Sequence, residues 1–223
     1  MSARDNIFGR LRKSALIAAP LPDVSGWFAS RTRNEEAAAR VERLRTALVA
    51  AHSEVHDTTP GAWPDLLLRI AAEKGLRNVL IGGDTRHGSL LEARSPEQVQ
   101  LVRYDHPVEG WRDQLFDAID ASLTSARSAI AETGTLILWP DAAEPRLMSL
   151  VPHVHFVLLD VTAIHADFFS AIRDEGWKDS LPTNALLISG PSKTADIQQT
   201  LAYGAHGPRE LVVLLCHPER GGA

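Results

Sequence analysis

Apolar positions recur along this chain in two rhythms. Up to about residue 55 the rhythm is helical. Ile7, Phe8 and Leu11 mark a short amphipathic helix, and Pro20 and Pro22 then break the chain. Ala37, Val41, Leu44, Leu48 and Ala51 follow at spacings of three and four, which predicts a long helix ending near His52. Asn34 is a suitable cap for it, with Glu35 and Glu36 placed to favour the positive helix end. Glu36 and Arg40 add an i, i+4 pair of helpful orientation.

Beyond that point short continuous apolar runs alternate with helical stretches. The runs predict strands at 53–57, 79–81, 99–102, 122–124, 135–138, 153–159, 185–188 and 210–215. Helices are expected at 63–74, 111–119, 145–150, 163–173 and 197–201, with Gly75 as the stop of the first. Strands apolar at nearly every position, such as Leu211 to Leu215, suit a parallel sheet covered on both faces. The expected fold class is therefore α/β: a three-layer sandwich with a mostly parallel sheet, preceded by N-terminal helices. Residues 1–55 form the helical segment packed on the main domain, and 56–223 the α/β domain. In such sheets ligands sit beyond the carboxyl ends of strands, which directs attention to the loops there.

Composition narrows the class. At 223 residues the chain can bury roughly 70% of its unfolded surface. With 44% hydrophobic and 23% charged residues it is neither disordered nor collagenous nor coiled-coil. The formal charge of −5 argues against binding a phosphate backbone. Arg4, Arg10, Arg12 and Lys13 cluster, but Asp5 interrupts them, and they read as a solvated helix face. No apolar run reaches the roughly 18 residues of a membrane span, and the stretch 15–19 is too short for a signal-peptide core. A cytoplasmic location is the expectation. Cys216 is the single cysteine, so this chain alone cannot carry a cysteine-ligated iron–sulfur cluster, which takes about four thiolates.

Four loops carry candidate chemistry. Gly82-Gly83-Asp84-Thr85-Arg86-His87-Gly88 lacks the spacing of a dinucleotide fingerprint. It also lacks the lysine of a P-loop, since Ser89 stands there, and so it reads as a turn. Ala131-Glu132-Thr133-Gly134-Thr135 surrounds a glycine with two hydroxyls and an acid, groups able to hold an anion or to move a proton. Ser189-Gly190-Pro191-Ser192-Lys193-Thr194-Ala195-Asp196 follows a strand and is expected to open a helix, bringing hydroxyls, a cation and free N–H groups to one anion site. Gly204-Ala205-His206-Gly207-Pro208-Arg209 puts an imidazole in a turn after that helix. His153 and His155 share a strand face, but no third metal ligand stands near them in sequence. Cys216-His217 has no evident triad partner, and the five tryptophans form no stacking ladder.

The stretches 129–135, 189–197 and 204–211 resemble the signature segments of LUD-domain proteins, most of all the short lactate-utilisation protein C type. Ser2, Arg4, Ile7, Arg10, Leu11 and Arg12 resemble the opening of that type, and the resemblance spans essentially the whole chain. Gln198 departs from the glutamate often found there, and Ala205 from a frequent valine. The resemblance implies a fold similar to the NagB/RpiA/CoA-transferase-like group. It implies a subunit of a system that oxidises L-lactate to pyruvate with two cysteine-rich iron–sulfur partner subunits, the clusters sitting on those partners and no metal on this chain. The site it implies takes a small anionic metabolite at Thr133, Gly134, Thr135, Ser189, Gly190, Ser192, Lys193, Thr194 and Asp196, with Glu132 and His206 as proton-transfer candidates. Two alternatives stay open: a stand-alone transferase or isomerase acting on a CoA ester or sugar phosphate, and a non-catalytic regulatory or scaffold protein.

Overall fold

The structure, a computed structural model, describes residues 3–13, 20–31, 35–94, 97–195, 201–204 and 206–219. The chain divides into two compact units, residues 1–32 and 33–223. The first contains the helices α1 (Ala3–Lys13) and α2 (Val24–Ala29). Asp23 caps α2, its carboxylate accepting from the Gly26 N–H at 2.9 Å.

The second unit opens with α3 (Ala37–Ala50), then β1 (Glu54–Thr58), α4 (Trp63–Glu73), β2 (Asn78–Gly82), α5 (Arg86–Glu92), β3 (Gln100–Tyr104), α6 (Arg112–Asp117) and β4 (Ala121–Ser125). There follow β5 (Ser128–Ile130), β6 (Thr135–Leu138), β7 (Val154–Asp160), β8 (Ile164–His165), α7 (Phe168–Asp174), β9 (Leu186–Ile188), β10 (Lys193–Ala195), β11 (Leu201–Tyr203) and β12 (Glu210–Cys216). Six strands make one sheet in the order β1-β12-β7-β4-β2-β3, and every pairing in it is parallel. The alternating faces of β12 explain its unbroken apolar run. Val212 and Leu214 pack under α4 with Trp63, Leu67 and Ile70, while Leu211, Val213 and Leu215 pack under α3 with Leu44 and Leu48. A strand in mid-sheet between two covering layers has no face left for polar residues.

The α/β class and the parallel sheet are as the sequence predicted. A second sheet, β8-β5-β6-β9, was not foreseen. It packs beside α3 through Ala129, Leu136, Leu138 and Ile164; β6 and β9 are the strands expected at 135–138 and 185–188, while β5 and β8 are too short for an apolar period to stand out. Its strand β8 corrects the expected helix at 163–173: Ile164 pairs with Ala129. The helix begins only after Asp167, whose carboxylate accepts from the Ser170 N–H at 2.7 Å. The expected turn at 82–88 leads into α5, with the Thr85 hydroxyl accepting from the Gly88 N–H at 3.1 Å.

The segment from Ser189 does not open a helix. Lys193–Ala195 is a strand paired antiparallel with Leu201–Tyr203, so the helix expected at 197–201 gives way to a strand at its last residue. Its other residues, 197–200, and Asp196 lie outside the described residues. Gly204 therefore closes a β-ribbon rather than a helix; its φ is +77°, and a Cβ there would lie 2.1 Å from the Arg209 side chain. Among the described residues no helix is long and apolar enough to cross a membrane.

Candidate functional site

Two of the sequence-predicted loops meet at the amino end of the parallel sheet. Ser189, Gly190 and Ser192 come from the segment after β9, and His206 and Gly207 from the turn before β12. With Ser149, ahead of β7, and His155, its second residue, they line a cavity of about 260 Å³. The backbone clasps the two loops together. The Ser192 N–H donates to the Pro208 carbonyl at 2.8 Å, and the Gly204 N–H donates to the Ser192 carbonyl at 2.9 Å. The His206 N–H reaches the Ser192 hydroxyl at 3.4 Å.

A hydroxyl relay ties the remaining motif to this cavity. The Thr135 hydroxyl is 2.7 Å from that of Thr133 and 2.7 Å from that of Ser189, so Thr135 bridges the β5–β6 turn to the cavity wall. The motif glycines serve packing on α3. Gly134 has φ +64°, and a Cβ there would lie 2.6 Å from Ala47 Cβ; Gly190 would place a Cβ 2.9 Å from the Ala51 carbonyl oxygen. Only glycine lets both loops approach the last turn of that helix so closely.

His155 is the residue the sequence reading undervalued. It is wholly buried, and burial alone pushes its pKa down to about 3, so the ring is neutral across the physiological range. Nε2 lies 2.8 Å from the Thr124 hydroxyl, and Nδ1 has no partner among the described residues. A buried imidazole nitrogen without a partner is costly, which makes it a candidate contact for a ligand in the cavity it lines. The signal was a lone histidine inside the apolar run Val154 to Leu159; weighed only as a metal ligand, it lost its other meaning. His153 lies just before β7 and is exposed. Among the described residues no three His, Cys, Asp or Glu side chains are grouped to hold a metal ion.

The other predicted residues lie apart from the cavity lining. Glu132 and Thr133 are exposed on the β5–β6 turn, and the Glu132 N–H donates to the Ala166 carbonyl at 3.1 Å. Lys193 is exposed in β10, beside Ser192. Thr194 is in the same strand, and Asp196 lies outside the described residues. The anion site imagined at a helix N-terminus is thus replaced by neutral donors. Among the described residues the cavity lining contains no Asp, Glu, Lys or Arg; it offers three serine hydroxyls and two imidazoles. It also sits at the opposite end of the sheet from the one the crevice rule indicates. Of the four loops, the glycine-rich 82–88 segment is the one that follows a carboxyl end of the parallel sheet.

A parallel sheet covered on both faces, with a small cavity at its amino end, defines the chain as an α/β protein. The LUD domain family model matches residues 41–216, and the chain belongs to that family. An uncharacterized protein of Neisseria meningitidis serogroup B is 39% identical, covering 98% of this chain and 95% of its own length. Lactate utilization protein C of Bacillus pumilus is 25% identical, covering 80% and 79%. Lactate utilization protein C 1 of Bacillus mycoides is 30% identical, covering 70% of each chain. The crystal structure of a DUF162 family protein from Deinococcus radiodurans superposes with a TM-score of 0.58 at 20% identity, over 82% of this chain and 99% of that one, and shows the same fold.

Proposed function

We propose that this chain serves lactate utilization as the subunit that holds a small carboxylate, while two cysteine-rich iron–sulfur subunits carry the electrons. Oxidation of L-lactate to pyruvate releases two electrons and two protons. With one cysteine, this chain leaves the electrons to partners. Its own part is recognition. The relatives named lactate utilization protein C support the pathway, and the cavity supports the role.

The observation that carries the proposal is the convergence of two signature loops on one cavity beside an unspent buried histidine nitrogen. At about 260 Å³ the cavity suits a metabolite of a few carbons, below the roughly 300–1,000 Å³ of sites for larger ligands. Serine hydroxyls at 189 and 192 can donate to a carboxylate, that of Ser149 being given to the Arg146 carbonyl at 3.0 Å, and a neutral His155 can hydrogen-bond a hydroxyl or carbonyl without adding charge. His206 is the candidate for exchanging a proton with solvent, being exposed at the rim of the same cavity. Glu132 has no position in that lining, so its role in proton transfer is not part of the proposal.

The test is genetic and biochemical. A host lacking the gene is complemented with the wild type, His155→Phe or Ser192→Leu, and growth on L-lactate as sole carbon source is measured. The tagged chain is also recovered anaerobically and assayed for co-purifying iron and lactate-dependent dye reduction. Wild-type rescue, failure of both variants at normal protein levels, and iron in the eluate are expected. Full rescue by both variants would overturn the site, and normal growth without the gene would overturn the pathway.

A further inference from the structure

The direction of one buried hydrogen bond decides what the amino-end cavity offers a ligand. Thr124 and His155 stand on neighbouring parallel strands, β4 and β7, where the register sets Ser122 opposite His155. Ser122, Thr124 and His155 therefore project from one face of the sheet. The other face, with Ala121, Leu123, Val154 and Phe156, packs with α4. Thr124 and His155 are both buried, and the Thr124 hydroxyl lies 2.8 Å from His155 Nε2. That distance fits two arrangements. A hydroxyl can donate or accept, and a neutral imidazole carries its one ring proton on either nitrogen.

The neighbouring hydroxyls are already committed. That of Ser122 donates to the Met148 carbonyl at 2.5 Å, and that of Ser149 to the Arg146 carbonyl at 3.0 Å. Among the described residues the Thr124 hydroxyl has no second partner, and His155 Nδ1 has none. If Nε2–H donated to Thr124, two buried groups would be orphaned: the threonine hydrogen and the Nδ1 lone pair. If Thr124 donates to Nε2, the ring proton stands on Nδ1, and only that N–H lacks a partner. The second arrangement leaves fewer buried polar groups unpaired. Its one orphan belongs to a residue that lines the cavity. Burial keeps the ring neutral, with a pKa pushed down to about 3, so a second ring proton does not obscure the choice.

We propose that Thr124 is a positioning residue that fixes His155 as the Nδ1–H tautomer, so that the cavity presents a neutral N–H donor to an oxygen acceptor of its ligand. The ligand preference rests on the small-carboxylate reading above; the tautomer does not. A carboxylate or carbonyl oxygen accepts from this N–H. An ammonium group has only donors: it meets no acceptor at that nitrogen, and the described lining holds no carboxylate to neutralise it. The site therefore separates a 2-oxo acid from the 2-amino acid of the same size, through the unpaired groups that the wrong ligand leaves.

The test reads the ring directly. The ¹⁵N-labelled full-length chain is studied at about pH 7 by the two-bond ¹H–¹⁵N correlation that distinguishes protonated from unprotonated ring nitrogens. His155 is recognised as a ring that stays neutral when the pH is lowered to about 5, and by its loss in His155→Phe. In the free protein Nδ1 is expected to be protonated and Nε2 not, the reverse of the form that a neutral histidine side chain favours in water. Thr124→Val, nearly the same shape, should move the proton at least in part to Nε2. Thr124→Ser, which keeps the hydroxyl, should retain the wild-type pattern. Pyruvate should bind Thr124→Val about tenfold more weakly than the wild type, and Thr124→Ser about as well. L-Alanine should bind the wild type about tenfold more weakly than pyruvate does. Circular dichroism checks the fold of each variant, and the wild-type pattern needs no variant to be read. A protonated Nε2 in the free wild type would overturn the tautomer whatever binds, and an unchanged pattern in Thr124→Val would overturn the role of Thr124. Equal binding of pyruvate and L-alanine would overturn the ligand preference. Nδ1–H in a protein that does not bind pyruvate would support the tautomer and overturn the small-carboxylate reading instead.

Discussion

The two ends of one parallel sheet handle polar groups in opposite ways. At the amino end, between the two sheets, the polar lining groups are hydroxyls and imidazoles set among leucines, an isoleucine and prolines, and the buried histidine is held neutral. At the carboxyl end the Glu144 carboxylate shares its oxygens among a hydroxyl, an amide and an imidazole. Burial explains the contrast. A group cut off from water sheds its charge, as His155 does, whereas Glu144 has partners for both oxygens.

The comparison can be broken from either end. Gly134→Ala should have the largest effect, about 3 kcal/mol of lost stability by urea denaturation. The residue would hold a positive φ and drive a Cβ into Ala47. An effect under about 1 kcal/mol would mean that α3 yields easily and does not brace the loop. Glu144→Ala should cost about 2 kcal/mol by the same assay, because the half-buried Ser125 amide and hydroxyl lose their acceptor; Glu144→Gln should recover part of it.

The third prediction is a pH slope. His155 titrates near 6.5 when unfolded and at about 3 when folded, so only the unfolded chain takes up its proton between those values. Stability should fall as pH drops through that window, by about 1.4 kcal/mol per unit from this residue. The wild type and His155→Phe, compared from pH 6.5 to 4.5, should differ by that slope; parallel curves would deny the buried neutral ring. The smallest effect is expected from Thr135→Val, about 1 kcal/mol, as the hydroxyls of Thr133 and Ser189 lose their shared partner.

Much of the main sheet was legible because its strands are buried on both faces. The run Leu211 to Leu215 can hardly be anything but a central strand, and α4 declares itself through Leu67, Ile70 and Ala71 with Gly75 behind them. The second sheet was legible only in part: β6 and β9 match the strands expected at 135–138 and 185–188, whereas β5 and β8, three and two residues long, are too short for a period to show itself. The candidate site was half legible. Ser189, Gly190, Ser192 and His206 were marked by their loops and do meet. Ser149 carried no signal, and His155 joins them only because β7 is placed beside β12 and β4 by long-range pairing. Glu144 and His87 are likewise 57 residues apart, and nothing local in the sequence links them.

The most direct test of the amino-end cavity as the small-carboxylate site is a two-dimensional NMR titration of the ¹⁵N-labelled chain with L-lactate and with pyruvate. The expected result is saturable shift changes concentrated at the amides of Ser189, Gly190, Ser192, His206 and Gly207, together with a change at the His155 ring nitrogens. Shifts gathered at Trp63, Ser125 and Leu90 instead, or none at millimolar ligand, would contradict the assignment of the metabolite to that end of the sheet.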